Sequence, residues 1–169
     1  GNFLHAQLEW LAGERFALPS SPALRQQLAH RCDRQGWGHR VGDVLDWMEQ
    51  ICATPLPALR TPLSGLGTVL PEMEFWLPGD GLDAALIDRL CCEHLFDGKP
   101  RPRLAERSLK GMLMGFADLV FEHQGRFGVM DYKSNFLGPC DAAYSVEAMT
   151  QAMLDHRYDV QAALYLLAL

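Results

Sequence analysis

Residues 109–123, LKGMLMGFADLVFEH, and 127–133, FGVMDYK, read as two strands joined by the short polar turn Gln124-Gly125-Arg126, a hairpin. Aspartate is depleted in strands, yet Asp118 interrupts the first and Asp131 stands near the end of the second. Lys133 follows Asp131 by two residues, so on a strand it leaves from the same face. Two carboxylates and an amine can therefore converge at one end of the hairpin. Hard divalent cations such as Mg²⁺ take oxygen ligands, commonly one or two carboxylates with waters and phosphate oxygens. A cation so held makes hydroxide available near neutral pH and offsets charge on attacking and leaving oxygens. A lysine beside it can orient the water or steady the crowded phosphate. The set suits phosphodiester hydrolysis.

Outward from the hairpin, the hydrophobic period changes. Upstream, Glu72 to Leu77 alternates loosely as a half-buried strand, stopped by Pro78-Gly79-Asp80-Gly81. Residues 82–95 read as a helix and 97–103, DGKPRPR, as a breaker. Residues 1–55 read as helical, with Ser20-Ser21-Pro22 giving an N-cap and a first-turn proline. Pro55 and Pro57 end the helix over 42–52, and 54–67 is a loop with three prolines and two glycines. Downstream, 138–141 is a loop and 146–169 a long helical region. The order predicts one α/β domain over 1–169, with a helical part at 1–55 and a sheet-containing core at 70–169. Leu4, Leu8 and Leu11 keep helical spacing from the outset, and 160–169 ends in helical pattern without a stop signal. The expectation is a segment of a longer chain, truncated at its C-terminus.

With 169 residues, 49% hydrophobic and 21% charged, the chain can bury a sizeable core and does not have a disordered composition. No apolar run approaches the roughly 20 residues of a membrane-spanning helix, so no membrane partner is expected. A formal charge of -6 argues against holding nucleic acid by bulk electrostatics, but carboxylates are what a metal site needs. The local exception is 99–110, where Lys99, Arg101, Arg103, Arg107 and Lys110 face one acid, Glu106. These five are the candidate phosphate contacts. Five cysteines (Cys32, Cys52, Cys91, Cys92, Cys140) form an odd set without zinc-like pairing, which reads as reduced thiols in a cytoplasmic protein.

The hairpin's D-(x)n-D-x-K pattern resembles the PD-(D/E)xK nuclease superfamily. The surrounding words are more specific: GFADLVF, DYKSNFLG and HRYDVQAALY resemble RecB-type nuclease domains, and the opening GNFLH resembles that family's histidine-bearing helix. The resemblance implies a restriction-endonuclease-like core, a small central mixed sheet flanked by helices. It makes His5, Asp118 and Asp131 metal ligands together with the main-chain carbonyl of Tyr132, and it makes Lys133 the catalytic lysine. Gln161 and Tyr165 match the family's Q-x-x-x-Y motif, which supports the active site and the DNA path. The superfamily's leading Pro-Asp is Ala117-Asp118 here, as is ordinary in the RecB branch.

The resemblance further implies an Mg²⁺-dependent exodeoxyribonuclease, with Mn²⁺ or Ca²⁺ able to enter the site. Its partners are DNA and, through a parent chain, RecC-like and RecD-like subunits in double-strand break repair and recombination. No G-x-x-x-x-G-K-[ST] phosphate loop is present, so ATP use belongs to a helicase part outside these residues. A stand-alone repair nuclease of the same superfamily is one alternative; a non-catalytic docking domain that keeps the fold is another. Read alone, Asp118 and Asp131 could be turn-capping aspartates, and Gln161 and Tyr165 ordinary helix-packing residues. Glu72 and Glu74 read as solvent-facing, with an extra acidic group near the metal as the other reading.

Overall fold

A computed structural model describes residues 2–105, 107–108 and 110–169; Glu106 and Leu109, named above, lie outside the described residues. The helices are α1 (Asn2–Gly13), α2 (Pro22–Arg34), α3 (Val41–Ala53), α4 (Ala84–His94), α5 (Val146–Asp155) and α6 (Tyr158–Ala168). The strands β1 (Thr68–Pro78), β2 (Met112–His123) and β3 (Arg126–Met130) form one sheet in the order β1-β2-β3. The fold is α/β with a helical N-terminal part and a small sheet. No helix among the described residues is long and apolar enough to cross a membrane. All five cysteines are free.

Two compact units divide the chain: Gly1–Met73 with Ala117–Tyr132, and Glu74–Phe116 with Lys133–Leu169. The hairpin from Ala117 through β3 thus groups with the N-terminal helices, while the first residues of β2, up to Phe116, belong to the second unit. In this first unit Leu11, Phe16, Leu18, Leu28 and Met48 are fully buried and share a core with Leu119 and Phe121 from β2. Each such side chain contributes about 1.5–3 kcal/mol on burial. Ser21 caps α2 by accepting the Leu24 N–H at 3.3 Å, with Pro22 in the first turn, as its sequence dictates.

The hairpin pairs Leu119 with Met130 and His123 with Arg126, antiparallel. Its turn residues Gln124 and Gly125 both have positive φ, 52° and 75°, which matches the right-handed twist of the strands. Gly128 is required by packing: a Cβ there would overlap the Phe121 ring. β3 stops at Met130, short of the predicted residue 133.

In the second unit, Asp83 caps α4 and Ser145 caps α5 through their side chains. The long helical region expected over 146–169 consists of two helices, α5 and α6. Arg157 adopts a left-handed φ of 55° between α5 and α6, and its guanidinium is anchored on Asp88, Asp159 and the Pro102 carbonyl. The break is held by long-range ionic contacts, which no local pattern reveals.

Candidate functional site

The hairpin register decides where the two aspartates fall. Its last pair is Leu119–Met130, so Asp118 and Asp131 are the residues that adjoin the end of the ladder on its two sides. Beyond that pair the Asp118 carboxylate accepts the Tyr132 N–H at 2.7 Å. Asp131 is half-buried and its Oδ2 is fully so.

Helix α1 brings His5 to the same end, with His5 Nδ1 3.8 Å from Asp118 Oδ2. That is too long for a hydrogen bond. Two donors each about 2.1 Å from one ion lie at most about 4.2 Å apart, so both can reach a single cation. The His5 ring also meets Tyr132 edge-on, with centroids 6.0 Å apart. Burial, reinforced by Asp118, Cys52 and Glu72, pushes the Tyr132 hydroxyl far above the ordinary phenol range. That hydroxyl is buried with no hydrogen-bond partner among the described residues.

Glu72 is exposed, as its solvent-facing reading expects, and it feels Glu9, which the sequence reading did not single out. Partial desolvation, then Asp118 and Glu9, push the Glu72 carboxyl upward, with His5 opposing. Glu72 therefore feels two other carboxylates as well as His5. Glu9 stands four residues after His5 on α1, a spacing that puts both on one helix face and could have flagged it. Glu72 is also a non-glycine residue with φ 49° inside β1. Glu74 is exposed and accepts the Trp76 indole N–H at 2.8 Å. Among the described residues, no three His, Cys, Asp or Glu side chains stand close enough together to form a metal-holding group. The structure thus joins His5 to Asp118 but does not complete the expected trio with Asp131. The donor set itself, one imidazole among carboxylates, fits a hard divalent ion.

In the second unit, Lys133 Nζ donates to Gln161 Oε1 at 2.8 Å. Gln161 Nε2 donates to Tyr165 Oη at 2.5 Å, and Tyr165 Oη donates to the Phe116 carbonyl at 2.9 Å. Gln161 and Tyr165, one turn apart on α6, thus connect the lysine to the backbone of β2.

Of the five candidate phosphate contacts, Lys99, Arg103, Arg107 and Lys110 are exposed. Arg101 departs from the expectation. Its side chain is 0% exposed and its donors are spent on Asp159 at 2.8 Å, Leu95 O at 2.7 Å and Cys91 O at 3.3 Å. It is a buried structural cation whose side chain does not reach the surface, so it drops out of that set.

No family model matches the chain. Curated relatives do. The RecBCD enzyme subunit RecB of Escherichia coli (strain K12) is 38% identical over 173 residues, a match that takes in 100% of this chain and 14% of that protein. The RecB subunit of Haemophilus influenzae is 36% identical over 128 residues, 73% of this chain and 10% of the relative. RecB of Mycobacterium tuberculosis (strain CDC 1551 / Oshkosh) is 30% identical over 200 residues, 100% of this chain and 18% of the relative. The chain therefore spans less than a fifth of the length of each of these relatives. Matched from end to end by RecB at 38% identity, the chain belongs to the RecB family.

Proposed function

We propose that this segment is an Mg²⁺-dependent DNA nuclease centre that hydrolyses phosphodiester bonds as an exodeoxyribonuclease. It would work within a RecBCD-type assembly, with RecC-like and RecD-like partners, in repair and recombination. The observation that supports the reading is His5 standing 3.8 Å from Asp118, at the end of the hairpin ladder that Asp131 directly follows.

His5, Asp118, Asp131 and the Tyr132 carbonyl would hold the ion, which when bound acidifies water and offsets charge on the phosphate oxygens. The Lys133 ammonium offers N–H donors to the attacking water or to a non-bridging phosphate oxygen. Gln161 takes one of those donors, and Tyr165 and the Phe116 carbonyl fix which way the glutamine faces. Lys99, Arg103, Arg107 and Lys110 would meet the DNA backbone by charge.

The test is cleavage of linear DNA by the full-length protein in its assembly, with Mg²⁺, with Mn²⁺ and with EDTA. Either metal should support cleavage and EDTA should stop it. Undiminished cleavage in EDTA would overturn the reading.

A further inference from the structure

We infer that Tyr158 is a positioning residue for Lys133, holding the ammonium by the face of its ring. The inference rests on the reading above that Lys133 takes part in the reaction. Nothing in the Q-x-x-x-Y motif includes Tyr158, which precedes it by three residues.

A lysine ammonium is a compact charge on a flexible four-carbon stem. Gln161 Oε1 accepts from the ammonium at 2.8 Å and restrains it along that direction. The Tyr158 ring supplies a second, differently directed restraint, with Lys133 Nζ 4.1 Å from its centroid, inside the roughly 6 Å reach of a cation–π contact. A ring face attracts the ammonium by its quadrupole and not as a lone-pair acceptor, so this restraint differs in kind from the glutamine's.

The ring is itself fixed from three sides. Its hydroxyl donates to Asn135 Oδ1 at 3.4 Å, and His156 stacks near-parallel at 5.3 Å and 18°. Its backbone is the first residue of α6, directly after the anchored left-handed Arg157. Tyr158 and Gln161 are three residues apart and share a helix face, so α6 grips the lysine by a π face and an amide oxygen together.

The experiment replaces Tyr158 in the full-length protein within its assembly and reads kcat, KM and Mn²⁺ affinity. Tyr158→Leu should lower kcat by about 2- to 30-fold, the range of one cation–π contact, with KM and Mn²⁺ affinity unchanged. Tyr158→Phe, which keeps the ring, should restore most of that loss. Replacing Tyr158 by phenylalanines of increasing ring fluorination keeps the shape while draining the negative face. The logarithm of kcat should fall stepwise with each fluorine, which a purely structural ring would not produce. A flat fluorination series, or a Tyr158→Leu effect confined to KM, would overturn the inference. Lys133→Ala separates the two claims. If Lys133→Ala abolishes cleavage and the series is flat, only the inference fails; if Lys133→Ala cleaves normally, the underlying reading fails and takes the inference with it.

Discussion

Asp159→Asn should be among the most destabilising single substitutions in the second unit. The wild-type carboxylate is 0% exposed and receives hydrogen bonds from Arg101 at 2.8 Å and from Arg157 at 3.1 and 3.2 Å. The amide keeps the volume but cancels the charge and turns one acceptor into a donor facing a guanidinium. Removing one partner of a buried ion pair costs about 3–5 kcal/mol, because the remaining charge stays out of water. For a chain of this size 1 kcal/mol moves Tm by about 2–4 °C, so the expected drop is about 6–20 °C. Thermal unfolding followed by circular dichroism at pH 7 measures it.

The pH dependence carries the sign of the effect. Burial alone would raise the Asp159 carboxyl, but Arg157 and Arg101 outweigh it and hold the group below the ordinary carboxylate range. Its contribution is therefore fully present above the unfolded value of about 3.9 and is lost as pH falls through the lower folded value. The Tm gap between wild type and variant should hold steady from pH 8 to about 5 and close below about pH 4. A variant melting within about 3 °C of wild type, or a gap that persists undiminished well below that pH, would refute the reasoning.

Asp131→Ala should abolish cleavage and weaken Mn²⁺ binding, whereas Lys133→Ala should abolish cleavage and leave Mn²⁺ affinity intact; calorimetry giving equal affinities in all three proteins would contradict the division. His5→Gln should weaken metal binding and cleavage together, and a variant with unchanged Mn²⁺ affinity would remove His5 from the ligand set. Gly128→Ala pushes a methyl into the buried Phe121 ring and should cost about 1–3 kcal/mol in denaturant unfolding, unlike the neutral outcome expected of an open glycine. Burial pushes the Cys52 thiol up to about 12, so mass spectrometry after iodoacetamide at pH 8 should find exposed Cys140 alkylated well before Cys52, and equal rates would contradict that burial.

What could be read from the sequence was local. The hairpin announces itself by alternation around a short polar turn, and the cap at Ser21 follows from a side chain that competes for the first free N–H groups. The break at Arg157 was not legible, since its anchors Asp88 and Pro102 come from a distant stretch of chain. Arg101 was misjudged for the same reason. A basic run reads as a solvated or phosphate-facing loop unless the buried Asp159 that claims one of its members is known. His5 was indicated only by family resemblance, because spacing cannot connect the first helix to a hairpin so far along the chain. Glu9 had a usable signal, one turn from His5 on the same helix face, and Glu72 carried none beyond its charge.

The central claim is that one divalent ion is shared by His5, Asp118 and Asp131. Crystals of the protein soaked in Mn²⁺ and measured at the manganese edge test it most directly. The account predicts one strong anomalous peak about 2.0–2.3 Å from His5 Nδ1 and from a carboxylate oxygen of each aspartate, with the Tyr132 carbonyl completing the set. A fully soaked crystal with manganese elsewhere and none between Asp118 and Asp131 would contradict it.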